Sequence, residues 1–318
     1  MKQKVLAVVG ATASGKTALG VALAKKYNGE IISADSMQIY QGLSVTTAKP
    51  TQEEMQGIPH YLIDFLPAAE KFSVADYVSL ANARIQDIAS RGKLPILVGG
   101  TGLYIDSVLN GMQFAEIDNS AQKQTREILT QRIQSEGIEK LYQELESLDP
   151  QAAQKIHPHN HVRVIRALEV CLTAGKTFTE YQLENQSQES PYEAFYLGLD
   201  YENRQDLYDK INLRVLRMLE QGMLAEVRLA YEQGITGTAA MAIGYKELIP
   251  YLEGQADLES CIAKIQQETR RYAKRQLTWF RRNAQIQWLK LNKNDELQEI
   301  SEKAEKMIAK AEFLCYNK

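Results

Sequence analysis

Gly10-Ala11-Thr12-Ala13-Ser14-Gly15-Lys16-Thr17 matches the pattern G-x-x-x-x-G-K-[ST], a loop that cradles phosphates. The residue types carry the chemistry. Glycines let the backbone curl until its N–H groups face a polyphosphate, and a helix N-terminus adds about half a positive charge. Lys16 adds a full charge, and Thr17 offers a hydroxyl to Mg2+. Such a loop binds a di- or triphosphate without implying that ATP is hydrolysed. A nucleotide hydrolase of this type usually carries an Asp after an apolar strand to help hold Mg2+. Here the apolar run 94–98 leads into Gly99-Gly100-Thr101-Gly102, with no acid. The acid nearest a strand end is Asp35, after Ile31-Ile32-Ser33-Ala34. A carboxylate beside a phosphate site can hold Mg2+ through water, or it can accept a proton from a nucleophile.

Those residues need a frame. Residues 5–9 are apolar, mostly valine, and end at Gly10, which predicts a buried strand. Residues 18–24 follow at helical spacing and stop near Asn28-Gly29. Residues 30–33 and 94–98 predict two more strands, with a helix over 74–89 before the second. Apolar strands alternating with helices predict an α/β fold, a P-loop NTPase-like parallel sheet with helices on both faces. Ligands of such sheets bind outside the carboxyl ends of the strands. Gly10, Asp35 and Thr101 each follow a strand, so one cleft should gather all three.

After Phe114 the character changes. Residues 121–148 are polar with apolar positions at helical spacing, 163–172 repeat that pattern, and 185–191 form a polar breaker. A strand is expected again over 194–199, helices over 204–221 and 258–283, a last strand over 286–291 and a terminal helix over 299–310. This divides the chain into a core (1–114), a helical insertion (115–193) and the remainder of the core (194–318).

The chain has 318 residues, 44% hydrophobic and 24% charged, which excludes a disordered or collagen-like protein. With 37 basic and 40 acidic residues the net charge is −3, so nucleic acid could be held only by a local basic face. One candidate exists. Lys264, Arg270, Arg271, Lys274, Arg275, Arg281 and Arg282 stand against a single acid, Glu268, with Tyr272, Trp279 and Phe280 interleaved. The competing reading is a solvated helix face. Cys171, Cys261 and Cys315 form no CxxC unit, which argues against a disulfide framework or structural zinc and for a reducing compartment. No apolar stretch reaches the roughly 18 residues of a membrane span, so a cytoplasmic protein is expected. His157, His159 and His161 invite a metal reading, but Pro158 and Asn160 between them favour a loop.

Taken together, the ordered motifs resemble one family. They are the phosphate loop, Asp35-Ser36-Met37-Gln38-Ile39-Tyr40, Thr47-Ala48-Lys49-Pro50, Pro59-His60 with Leu62-Ile63-Asp64, and Val98-Gly99-Gly100-Thr101-Gly102-Leu103-Tyr104. Arg166-Ala167-Leu168-Glu169, Gly244-Tyr245 and Ala273-Lys274-Arg275-Gln276 with Thr278-Trp279 continue the series. The chain is similar in this to the tRNA dimethylallyltransferases of bacterial type.

The resemblance implies transfer of a dimethylallyl group from dimethylallyl diphosphate to N6 of the adenosine at position 37 of tRNA, in the anticodon stem-loop. It implies Mg2+ as cofactor. The loop Gly10–Thr17 and Arg214 would bind the diphosphate, with Thr17 towards the metal. Asp35 would act as general base, with Thr101 near the reacting groups. Ser36 and Gln38 would help grip the target base, and Asp35, Met37, Thr101, Arg126, Arg163, Arg166, Gly244, Tyr245 and Lys246 would also contact tRNA. Arg166 has a second reading as a local ion pair with Glu169. A monomer is expected.

Three features depart from the family pattern. Thr46 stands where glycine is usual, which would be awkward if position 46 needed a positive φ. Ala11 replaces a common proline, and Val162 replaces a glutamine before the arginine. The competing functions are a prenyltransferase acting on free AMP or ATP, a P-loop kinase of a small metabolite, and a non-catalytic RNA-binding protein. The basic stretch and the insertion favour tRNA over the first of these.

Overall fold

The computed structural model describes residues 2–112, 119–186 and 189–314. The boundary expected after Phe114, and Cys315, lie outside them. The chain forms two compact units, one of residues up to Leu109 together with those from Pro191 on, the other Asn110–Ser190.

The first unit is built on six strands: β1 (Gln3–Gly10), β2 (Gly29–Ala34), β3 (His60–Tyr61), β4 (Leu94–Gly99), β5 (Tyr192–Tyr201) and β6 (Gln287–Leu291). They lie in the order β3-β2-β4-β1-β5-β6, every pair parallel. β1 is central, with Val8 beside Val98 on one side and Leu197 on the other. Leu6 and Val8 share a core with Leu19 and Leu23 of the helix Lys16–Lys26, and with Ile211, Leu277 and Ile308 of later helices. Val5, Ala7 and Val9 point the other way by the strand period of two and are equally buried. Both faces are therefore covered, which is why residues 5–9 and 94–98 read as unbroken apolar runs.

Asn28 takes the left-handed turn that ends the first helix, at φ 50°, and Gly29 opens β2. A Cβ on Gly29 would lie 2.8 Å from the Leu94 carbonyl, so close strand approach accounts for that glycine. At the same end of the sheet the buried Glu30 accepts from Arg91, Lys93 and the Tyr61 hydroxyl, tying β3 to its neighbours.

A second core within this unit joins the segment after β2 to the later helices. Ile39, Tyr40 and Leu43 pack with Val215 and Met218 of the helix Arg204–Glu220. Val227 of Met223–Glu232, Leu248 of Tyr245–Leu252 and Ile265 of Leu258–Phe280 join them.

The second unit is helical, with Asn119–Glu136, Ile138–Leu148, Pro150–Lys155, His161–Ala174 and Phe178–Gln186 around Leu129, Leu141, Leu145, Val164 and Leu168. Its pivot is the buried Asp149. It caps Pro150–Lys155 by accepting from Ala152 N at 2.9 Å, and it accepts from Thr179 N at 2.7 Å. Among the described residues no helix is long and apolar enough to cross a membrane.

Candidate active site

The carboxyl ends of β1, β2 and β4 place the phosphate loop, Asp35 and Thr101 respectively. Gly10 leaves β1 at φ 154°, where an added Cβ would lie 2.8 Å from the Leu199 carbonyl of β5. Ala13 and Gly15 are both left-handed, at φ 63° and 87°, so the loop curls before Lys16 starts the helix. The N–H groups of Lys16 and Thr17, in the first turn, have no intrahelical acceptor.

A cleft of about 230 Å3 opens beside this loop. Thr12, Asp35, Ser36 and Met37 line it, as do Arg214, Lys246, Tyr272 and Arg275. Its apolar wall includes Ile211, Val215, Met218, Ile243 and Ile265. The lining thus combines three cations, one carboxylate and a set of apolar side chains. Arg214 Nη1 donates to Thr12 Oγ1 at 3.0 Å, and Lys16 Nζ donates to the Ala11 carbonyl at 3.1 Å. Burial, and then the Arg214 charge, lower Lys16 to about 8, with Asp35 pulling the other way. Burial also lowers Arg214. Two cations held this close call for an anion between them.

Asp35 Oδ1 accepts from Met37 N at 2.9 Å and from Gln38 N at 3.4 Å. This local turn fixes the carboxyl group in the cleft wall. Thr101 Oγ1 accepts from Ser36 N at 3.0 Å, and Thr101 N donates to the Ala34 carbonyl at 3.0 Å. Gly99 permits this: a Cβ there would lie 2.1 Å from the Ala34 carbonyl oxygen. Gln38 is occupied elsewhere. Its amide nitrogen donates to the Thr47 and Ala48 carbonyls and its oxygen accepts from Ser33, so it braces the neighbouring loop. Tyr272, not singled out as a site residue by sequence reasoning, faces the cleft. Burial, and then the Asp35 charge, hold its phenol well above the usual tyrosine value, so it stays a neutral donor.

The loop 44–48 forms another wall. Glu226 accepts from the N–H groups of Ser44 at 2.7 Å, Val45 at 2.8 Å and Thr46 at 2.7 Å. The left-handed residue of this loop is Ala48, at φ 49°, and Thr46 is not among the positive-φ residues. The glycine-to-threonine departure at 46 therefore carries no backbone strain. Lys49 reaches the Tyr40 carbonyl and Asp64, which closes the loop.

The basic helix, Leu258–Phe280, serves several ends. Arg275 lines the cleft. Lys264 and Arg271 pair with Glu268, Arg270 donates to Asn212, and Arg281 pairs with Asp200 beyond the helix end. Trp279 Nε1 donates to Asp106 at 2.6 Å, and a Cβ on Gly102 would strike its ring. Gly244 has φ 105° and its N–H donates to Glu247 at 2.7 Å. Tyr245 is buried, its ring in the helical core, while Lys246 reaches the cleft.

In the helical unit Arg126 and Arg166 converge on one buried carboxylate. Arg126 donates to Glu169 at 2.7 and 3.0 Å, and Arg166 pairs with the same group. Arg163 is exposed nearby in sequence, and Val162 is 78% exposed. His157 Nδ1 accepts from His159 N at 3.2 Å, a loop contact.

Residues 38–283 match the IPP transferase family. A tRNA dimethylallyltransferase of Oceanobacillus iheyensis is 49% identical over 294 residues, 92% of each chain. The crystal structure of a full-length tRNA isopentenylpyrophosphate transferase from Bacillus halodurans superposes with a TM-score of 0.72 at 43% identity, covering 98% of this chain and 97% of that one. The structure of a eukaryotic dimethylallyltransferase acting on tRNA gives 0.82 at 30% identity, covering 98% of this chain and 79% of that one.

Proposed function

The chain belongs to the IPP transferase family, the tRNA dimethylallyltransferases, and from that premise we propose that it moves a dimethylallyl group from dimethylallyl diphosphate to N6 of adenosine 37 of tRNA. The observation that carries this reading is the cleft itself. Its lining brings together Arg214 bonded to Thr12, the Asp35 carboxylate, and prenyl-compatible apolar side chains such as Ile211, Val215, Met218 and Ile265.

In this reading Lys16, Arg214 and the first-turn N–H groups hold the diphosphate. The bond between the allylic carbon and its phosphate oxygen breaks as N6 attacks that carbon, and pyrophosphate leaves with the electron pair. The N6 proton passes to the Asp35 carboxylate, which is already aimed by its two backbone hydrogen bonds. Mg2+ suits the donor set, since the Thr17 hydroxyl and diphosphate oxygens are hard oxygen ligands. When bound it would offset the charge on the leaving pyrophosphate. Adenosine must leave its stack to enter the cleft, at a cost of a few kcal/mol. Lys246 and Arg275 at the cleft, with Arg126, Arg163 and Arg166 of the helical unit, supply cations for the RNA backbone.

The test is transfer of label from dimethylallyl diphosphate, with Mg2+, to unmodified tRNA, with AMP and ATP as parallel acceptors. Label on tRNA, lost when the target adenosine is replaced, is expected. Label on AMP or ATP alone would move the acceptor to a free nucleotide, and no label on any acceptor would sink the reading.

A further inference from the structure

Gln276 lies on the basic helix with only 4% of its surface exposed. Its Oε1 accepts from the Thr12 backbone N–H at 2.8 Å. Its Nε2 donates to the Gly100 carbonyl at 3.0 Å. One planar amide therefore joins the phosphate loop after β1 to the loop after β4. Gly100 is glycine for this reason: a Cβ there would lie 2.0 Å from Gln276 Nε2.

The linkage continues in both directions. Thr12 Oγ1 accepts from Arg214, on the side assigned to the diphosphate. Thr101, next to Gly100, holds the Ser36 N–H beside Asp35. Trp279, three residues beyond Gln276, repeats the tie through Asp106 of the helix Gly102–Leu109. The Thr12 N–H is thereby withdrawn from the phosphate site: it is spent on protein. Gln276 does not line the cleft, but its partner Thr12 does.

We propose that Gln276 is a positioning residue that fixes the spacing between the diphosphate end of the cleft and the Asp35 end, so that the allylic carbon and N6 meet in line; this rests on the transferase reading above. Glutamine suits the task because one side chain must accept from an N–H and donate to a carbonyl at once. Alanine does neither. Glutamate keeps the acceptor, loses the donor when ionised, and adds negative charge beside the phosphate loop.

A misaligned pair has a chemical signature. If the allylic carbon–oxygen bond still ionises but N6 stands out of line, water attacks the same carbon. Dimethylallyl alcohol then forms, pyrophosphate leaves as before, and the proton of water goes to solvent. A general loss of folded enzyme lowers both products equally and leaves their ratio alone.

The experiment measures prenylated tRNA and dimethylallyl alcohol together, with melting temperature, for the unsubstituted protein, Gln276→Ala and Gln276→Glu. Either folded variant should lose about 10- to 100-fold in kcat, as a displacement of order 1 Å at a reacting centre does. KM for each substrate should stay within about threefold, while the ratio of alcohol to prenylated tRNA rises. Two variants guard against one failing to fold. Unchanged kcat, or a lowered kcat with an unchanged product ratio, overturns the proposal. No prenylated tRNA from the unsubstituted protein overturns the transferase reading and this inference with it.

Discussion

Arg214 and Thr12 stand 202 residues apart in the chain, and their side chains meet at 3.0 Å beside the phosphate loop. The contact brings a guanidinium to the loop without neutralising it, since a hydroxyl carries no charge. Arg214→Gln removes the cation and, being shorter, also gives up the contact with Thr12. A charge-assisted hydrogen bond contributes about 1.5–3 kcal/mol, so kcat/KM for dimethylallyl diphosphate should fall about 10- to 100-fold. Steady-state kinetics with tRNA saturating would show this; an unchanged value would remove Arg214 from diphosphate binding.

Asp35 holds its place through backbone N–H groups that an asparagine oxygen can also accept. Asp35→Asn should therefore keep the turn and lose only the base. Turnover should drop about 100- to 10,000-fold, the usual contribution of a positioned general base. Affinity for tRNA, measured by filter binding, should change much less. Near-normal single-turnover rates would end the base assignment.

Lys16 sets a pH dependence for donor binding. In the free protein its ammonium is lowered to about 8, first by burial. The bound diphosphate needs that ammonium charged. Above about pH 8 the free protein has lost the proton and must regain it on binding. Affinity for dimethylallyl diphosphate should thus weaken as pH rises from 8, up to about tenfold per pH unit. Calorimetry in buffers of different ionisation enthalpy should register proton uptake at pH 9 and little at pH 7. Equal uptake at both values would contradict the assignment.

Glu30 governs a different pH range. Arg91, then Lys93 and Tyr61, hold its carboxyl at about 2 against the opposing effect of burial. A folded value below the unfolded one means stability that is complete above the unfolded carboxylate range, near 4.5. That stability is lost as pH falls towards 2. Glu30→Gln should lower the melting temperature at pH 7 and shrink the further loss between pH 5 and 2. A parallel acid profile in the two proteins would refute this role.

Much of the fold could be read before the structure. Strands β1 and β4 are buried over residues 5–10 and 94–99, so their sequences are apolar runs ending at Gly, and β2 and β5 keep shorter apolar stretches at 31–32 and 194–199. β3 escaped, because two residues at a sheet edge carry no period and are held by Glu30 and Arg91 instead. The helix Gly102–Leu109 escaped because its first residues belong to a glycine-rich motif. The phosphate loop was legible because it is contiguous. The contacts of Gln276 with Thr12 and of Glu226 with the loop 44–46 were not, since each spans 180 residues or more. Gln276 itself stood in the motif Ala273-Lys274-Arg275-Gln276, but nothing in that motif names Thr12 or Gly100 as its partners.

The sheet order also sets a timetable. β1 pairs over eight residues with β5, yet β5 follows β4 by the whole of the helical unit. As the chain leaves the ribosome, β1 can join β4 and β2 while its other edge waits for roughly 90 residues, about 5–20 s at ordinary translation rates. During that interval a long apolar strand stands with an open edge, the kind of surface that recruits other chains. The helical unit emerges within the same interval and has a core of its own around Leu141 and Leu168. The arrival of Tyr192–Tyr201 then seals the open edge of the central strand.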